Sequence, residues 1–359
     1  MPKRSLPLSS LLLCSALCAQ PQTIVSPAGS ANVEGTSNNI YPFGTNTPRR
    51  YLQIHSDIGG AVRLITKLSF RMNGPSTSTY TGTTAIDTEL NMGHSVAWDK
   101  ASFTFAQNWV TPPVQAVARK TLTWGPQGQG GNPAPFVNMD IPLDAPFTYL
   151  GVLHSLAWEA VVYSYVPNGS YAGTMDAEGG SYTAGASAIT GTGCIATGQT
   201  AAMTHAFMAY DYAGTLLLGW IVSAGPANAL TALAVGTTNP NLAFPGLCSN
   251  VYTDMAATIV LGITDAVGVI DRETTPYILI PNTLPGAILT SQLFALDPAR
   301  PDPVQVSTSN GRSTTMPFPN LSKVVKVTRV WNDLRGTTAT RGAVTTTTLD
   351  YGLVTQFTY

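Results

Sequence analysis

The sequence predicts an all-β protein: two antiparallel β-sandwich domains, jelly-roll-like, followed by a C-terminal strand pair. Three observations predict it. Helical periodicity is scarce, apolar residues recur in short runs with a two-residue period, and Gly, Pro, Asn and Asp separate those runs at sandwich-like spacing. The 33 glycines and 26 prolines are spread along the 359 residues as turn punctuation rather than gathered in low-complexity linkers. Only 10% of residues are charged, against roughly 25% in an average soluble domain, and Thr, Ser, Gly and Asn take their place.

Residues 1–19 read as a signal peptide. MPKR supplies two positive charges, LPLSSLLLCSALC is a short apolar run, and Ala19-Gln20 is a suitable cleavage junction. Cys14 and Cys18 each follow Leu, which excludes a lipoprotein site, and both leave with the signal. An N-terminal sandwich is expected over 20–166. Its clearest strand is AVRLITKLSFRM (61–72), with Val62, Leu64, Leu68, Phe70 and Met72 on one face and Arg63, Lys67, Ser69 and Arg71 on the other. SLAWEAVVYSY (155–165) is a second strand, and SFTFAQNW (102–109) is an ambiguous short helix. The Gly- and hydroxyl-rich stretch 167–193 is expected to be a linker. A C-terminal sandwich over 194–316 would hold TLLLGWIVS (215–223), ALTALAV (229–235), AATIVLGIT (256–264), YILI (277–280) and ILTSQLFAL (288–296). Residues 317–359 then read as a hairpin extension built from KVVKVTRVW (323–331) and YGLVTQFTY (351–359).

Composition excludes several partners. A net charge of −1 leaves no footprint for nucleic acid, and no later segment has the 18 or so uninterrupted apolar residues of a membrane span. GxSxG, HExxH, P-loop, EF-hand and CxxCH motifs are absent, so the reading is of a non-enzyme with no cofactor and no metal. Of the four histidines, His55 and His94 are candidates to meet across neighbouring strands near Asp57 and Asp87; His154 and His205 stand apart, and local hydrogen bonding is the simpler reading for all four. Asp87 and Glu89 share a strand face about 7 Å apart, the carboxylate spacing a glycoside hydrolase needs. Asp176 and Glu178 fall in the expected linker and would be solvated. Trp98, Trp109 and Trp124 are carbohydrate-binding candidates because sugar rings stack on exposed indoles, although core packing is the commoner use of Trp.

Cys194 and Cys248 are the cysteines that remain after the signal. No CxxC or HxxxH spacing supports zinc, and in an oxidising compartment pairing is the default. A disulfide would close a loop of about 55 residues and contribute roughly 3–4 kcal/mol in the chain-entropy picture. At the C-terminus, Tyr351, Leu353, Phe357 and Tyr359 form an aromatic-rich strand face. Such a strand either completes its own sheet or adds to the open edge of a neighbour.

GTGC (191–194), PGLCSN, IPNTLPGAILTSQLFALDP and VSTSNGRS resemble the C-terminal module of uncharacterised secreted two-module proteins abundant in planctomycete-type bacteria. EGTSNNIYPFG (34–44), RYLQI (50–54), ITKLSFRMNG (65–74) and PFTYLG (146–151) resemble the N-terminal module found with it. The resemblance implies secretion and β modules, and it brings no catalytic residues. The expected function is that of a secreted structural or cell-surface protein, a filament or matrix subunit assembling by strand addition with itself or other extracellular proteins. A glycan-binding module and a secreted glycoside hydrolase-like enzyme are the alternatives.

Overall fold

The computed structural model describes residues 21–270, 278–332, 336–342 and 349–359; the expected signal peptide lies outside them. The first strands are β1 (Thr23–Ser26), β2 (Ser37–Asn39), β3 (Arg49–His55), β4 (Val62–Phe70), β5 (Thr79–Tyr80), β6 (Thr83–Ser95), β7 (Val114–Trp124), β8 (Gly128–Gln129), β9 (Asp140–Leu150), β10 (Ser155–Asn168) and β11 (Met175–Gly179). There follow β12 (Tyr182–Ala184), β13 (Ser187–Thr190), β14 (Thr204–Tyr212), β15 (Thr215–Ser223), β16 (Leu230–Gly236), β17 (Ala257–Ile263), β18 (Ile278–Pro281), β19 (Ile288–Leu296) and β20 (Val306–Thr315). The chain ends in β21 (Val327–Asn332), β22 (Tyr351–Leu353) and β23 (Thr355–Thr358). All strand pairings among the described residues are antiparallel, so the all-β sandwich expectation holds.

Module one packs a sheet of order β1-β23-β4-β9 against one of order β21-β3-β10-β6-β7, with a small β2-β11-β22 sheet alongside. Its core lies between them: Phe70, Ile141 and Phe357 from one side meet Leu90, Trp158 and Val117 from the other. Along β6 the side chains alternate strictly between half-exposed and buried as far as Asn91, as the pleat of a half-buried strand requires. Module two packs β12-β14-β15-β18 on β13-β20-β19-β16-β17. There Phe207 stacks on Trp220 at 5.5 Å, and Leu233, Leu261 and Leu293 close the core from the opposite sheet.

Five expectations are corrected. The stretch 167–193 is not a linker, since it completes β10 and supplies β11, β12 and β13. Hydroxyl and Gly content looks like a connector, but cross-strand pairing decides. Residues 317–359 do not form a hairpin. Instead β21 pairs with β3, β22 with β11, and β23 slots between β1 and β4. The N-terminal sandwich therefore does not stop at 166, because it is finished by the end of the chain, and module two is an insertion between β11 and β21. The two crossings run side by side, with the Ser181 N–H donating to the Lys323 carbonyl at 2.9 Å. A side chain at Gly180 would collide with the Asp350 carboxylate, which explains the glycine at this close approach.

Alternation over 61–72 also breaks. The β4–β9 register shifts between Ile65 and Lys67, where β9 bulges, and beyond this irregularity the buried positions of β4 change phase. Ile65, Leu68 and Phe70 face the core, while Val62 and Leu64 lie outside at 62% and 53% exposure. Finally, the ambiguous helix at 102–109 is a single 3₁₀ turn, Phe105–Asn108. It is held by the Asn108 amide, which accepts from the Ser102 N–H and donates to the Ser102 carbonyl, each at 2.7 Å.

Candidate functional site

The histidine and carboxylate candidates are bound into structure. His55 is fully buried, and its Nε2 accepts the Trp158 indole N–H at 3.0 Å. Nδ1 therefore holds the ring proton and donates it to Ser26 Oγ at 2.6 Å. The Ser26 hydroxyl in turn donates to Asp57 Oδ1 at 2.5 Å, and Asp57 Oδ2 accepts the Ala28 N–H at 2.7 Å. Serine sits between acid and imidazole, the reverse of the nucleophilic relay in which the imidazole is central, and Ser26 has no exposed surface. Burial holds the His55 pKa down to about 3 and pushes that of Asp57 up to about 6. Next to this chain of bonds, the Gln53 amide clasps Leu353: its Oε1 accepts the Leu353 N–H at 2.8 Å and its Nε2 donates to the Leu353 carbonyl at 2.9 Å. The network thus ties β1 and β22 to β3 and β10.

His94 does not join His55. Its Nε2 accepts the Leu150 N–H at 3.0 Å and its ring lies 5.4 Å from that of His154; burial and then the neighbouring imidazole lower its pKa. In module two, His205 is buried between Ser309 and Ser291, at 2.9 Å from Nδ1 and 3.0 Å from Nε2. Asp87 and Glu89 share the outward face of β6, where Arg119 clamps Asp87 at 2.7 Å and stacks over Tyr163. That hydrogen bond lowers the Asp87 pKa, so both roles of a carboxylate pair are not open to it. Asp176 and Glu178 are not solvated, as a linker position implied, but buried. Asp176 receives the Arg71 guanidinium at 2.6 Å and the Gly35 N–H at 3.0 Å. Glu178 receives Thr36, Ser30 and Lys323, beside a groove of about 530 Å³ that Asp57 also lines.

The three tryptophans do not form one platform. Trp124 is buried between Phe43 and Phe70, with its indole N–H on the Asp140 carbonyl, and shows no face to a sugar. Trp98 and Trp109 are half-buried against a separate cluster around Phe105. At the C-terminus, Tyr351, Leu353 and Phe357 are buried in the core of module one, and Tyr359 lies under Arg63. The expected continuous strand face is broken at Val354, where the chain steps from one sheet to another. Flanked on both sides by β1 and β4, the last strand completes its own sheet.

Cys194 and Cys248 are paired, with Cα atoms 5.6 Å apart, inside the normal disulfide range. Their bridge pins the loop between β16 and β17 to β20, where Thr308 also contacts Cys194. That loop covers part of the outer face of sheet β13-β20-β19-β16-β17: the Gln292 amide holds Tyr252 N–H and the Asn250 carbonyl, and Thr290 holds the Thr238 carbonyl. Among the described residues the remainder of the face is bare. Leu230, Val260, Phe294, Leu296 and Val306 line an apolar groove of about 180 Å³. A second groove of about 560 Å³ shares Leu230 and Leu296 and continues past Ile263. Exposure reaches 65% at both Val260 and Ile263 and 50% at Leu296. At its margin runs β17, an edge strand with no charge and no proline. A flat apolar face bordered by an open strand edge offers backbone hydrogen bonds and buried area to an extended segment. The sequence identified this strand but not its place at an edge; the missing signal was the absence of any guarding Lys, Glu or Pro. Comparison of the chain with family models, curated proteins and solved structures returned no match.

Proposed function

We propose that the protein is a secreted, non-enzymatic component of an extracellular surface or matrix, and that module two is its assembly module. One observation carries this reading: the bare apolar face and open edge of module two, framed by a disulfide-pinned loop. Strand addition then takes place at β17 rather than at the C-terminal strand, which sits in the middle of a sheet. The commitment of His55, His205, Asp57, Asp176 and Asp350 to structural hydrogen bonds favours a mechanical role over hydrolysis. The glycan-binding alternative retains Trp98 and Trp109 but loses Trp124.

Fractionation of the native source tests the reading. The mature protein is expected outside the cell, retained in the surface fraction, and visible there by immunogold electron microscopy. A protein found free in the medium or inside the cell would refute it.

A further inference from the structure

Among the described residues each of the four large sheets has two edge strands, and all but one are guarded. On β7 stand Arg119 and Lys120; β9 contains Asp140, Asp144, Pro142 and Pro146. Short strands end the sheets at β1, β12, β13 and β18, and β21 is buried along its whole length. The exception is β17, whose seven residues are uncharged and mostly exposed. Its bulge falls opposite Thr231–Ala232 and leaves Ala257–Val260 regular. Charged residues, prolines and short length are the devices by which edges avoid pairing with other chains, so their concentrated absence is informative.

We propose that two copies of this chain pair through β17, antiparallel about a twofold axis, joining their five-stranded sheets into one; the proposal rests on the assembly reading above. Charge matching selects the occupant. Across the whole five-stranded sheet the one charged side chain is Arg312, and it turns inward to donate to the His205 carbonyl at 2.9 Å. A charged partner strand would lose hydration over this face without gaining a counter-charge. The matching strand, long, uncharged and with free backbone groups, is β17 of a second copy. Parity then sets the register, because an outward residue must oppose an outward residue. A twofold axis through Ile259 places Thr258 of each copy against Val260 of the other, with Ile259 facing the core on both sides. Each copy offers one such edge, so pairing closes at a dimer rather than a fibre.

Sedimentation equilibrium of the mature protein at micromolar concentration is the test, with hydrogen exchange of residues 257–263 as a second readout. A dimer is expected, with protection of those amides rising with concentration. Val260→Lys, at an exposed position, should weaken self-association by roughly tenfold or more without changing the circular dichroism. Val152→Lys, on an exposed loop of module one, should leave the dimer intact. A monomer with concentration-independent exchange at β17 overturns the proposal, as does an undiminished Val260→Lys dimer. If such a monomer is still retained on the cell surface, self-pairing fails while the surface reading stands. A β17 dimer found free in the medium does the opposite.

Discussion

The two modules share an architecture and differ in how they are held. Module one is closed by strands from both ends of the described residues: β1 and β23 are neighbours, and β21 and β22 finish the other sheets. Its carboxylates act as clasps, with buried Asp350 accepting the Val325 and Lys326 N–H groups and half-buried Glu34 those of Gly74 and Ala134. Module two is an insertion with a nearly charge-free sheet and a covalent staple. Module two has buried carboxylate clasps as well, Asp297 accepting the Thr197 N–H and the Ser307 hydroxyl and Asp211 the Gly214 and Asn320 N–H groups, but it alone adds a disulfide to them. The module fastened by clasps without a disulfide is closed on both sheets. The stapled one is left with a bare face.

Removing residues 349–359 should have the largest effect. It takes β23 out of the middle of a sheet and leaves β1 without a partner, so module one is expected to unfold while module two retains its own core. Peptide-resolved hydrogen exchange reads both at once; protection of β3, β6 and β10 in the truncated chain would contradict the closure argument. Next is Arg71→Met. It strands Asp176, which has no exposed surface, and should cost about 3–5 kcal/mol in urea unfolding of module one, with module two unchanged.

Cys194→Ser with Cys248→Ser should reverse the pattern. A sequence separation of 54 residues implies roughly 2–4 kcal/mol lost from module two, and trypsin-independent cleavage, for instance by proteinase K, should then enter the loop at 239–250. Equal destabilisation of both modules would show that the bridge acts on the whole chain rather than on the inserted sandwich.

The fold class and most strands were legible because two-residue alternation and turn residues are local signals. The Cys194–Cys248 pair was legible for a different reason, since they are the two cysteines past residue 18 and the expected signal peptide would account for the others. Pairing partners were not legible. Nothing in YGLVTQFTY says that its second half lies between β1 and β4, more than 280 residues earlier for both, as in the Phe357–Leu68 pair. The burial of Asp176 follows from Arg71, 105 residues away, and no local pattern reports it. Val62 and Leu64 were assigned inward because a bulge shifts the phase of alternation without a sequence mark. The β17 edge was hidden for the same reason as the C-terminal return: position in a sheet is a property of the whole chain.

Acidification separates the modules by a smaller margin. In module two, His205 is neutral with a pKa lowered to about 3 by burial and then by Arg312, while the unfolded chain takes up a proton near pH 6.5. Stability is therefore present above pH 6.5 and falls as pH drops toward 3, by about 2 kcal/mol between pH 7 and 5. Asp297 works in the same direction at lower pH: burial raises its pKa, but the Thr197 and Ser307 hydrogen bonds outweigh it and hold it below the usual range, so its stabilisation is also lost in acid. Module one contains the same buried histidine term at His55, but Asp57 and Asp350 oppose it. Burial raises both carboxyls to about 6, so their ionisation cost is present above pH 6 and relieved as pH falls toward 4. Asp176, whose carboxyl burial also raises to about 6, acts with them, so over pH 7 to 5 the three carboxyls offset the histidine loss and module one does not lose stability. Module-resolved unfolding followed by hydrogen exchange at the two pH values should show module two loosening first, and the gap should close in His205→Gln, whose amide does not titrate. Parallel loss in both modules would mean that Asp57 and Asp350 ionise at ordinary carboxylate values, and that the clasps of module one are less buried than their hydrogen bonds imply.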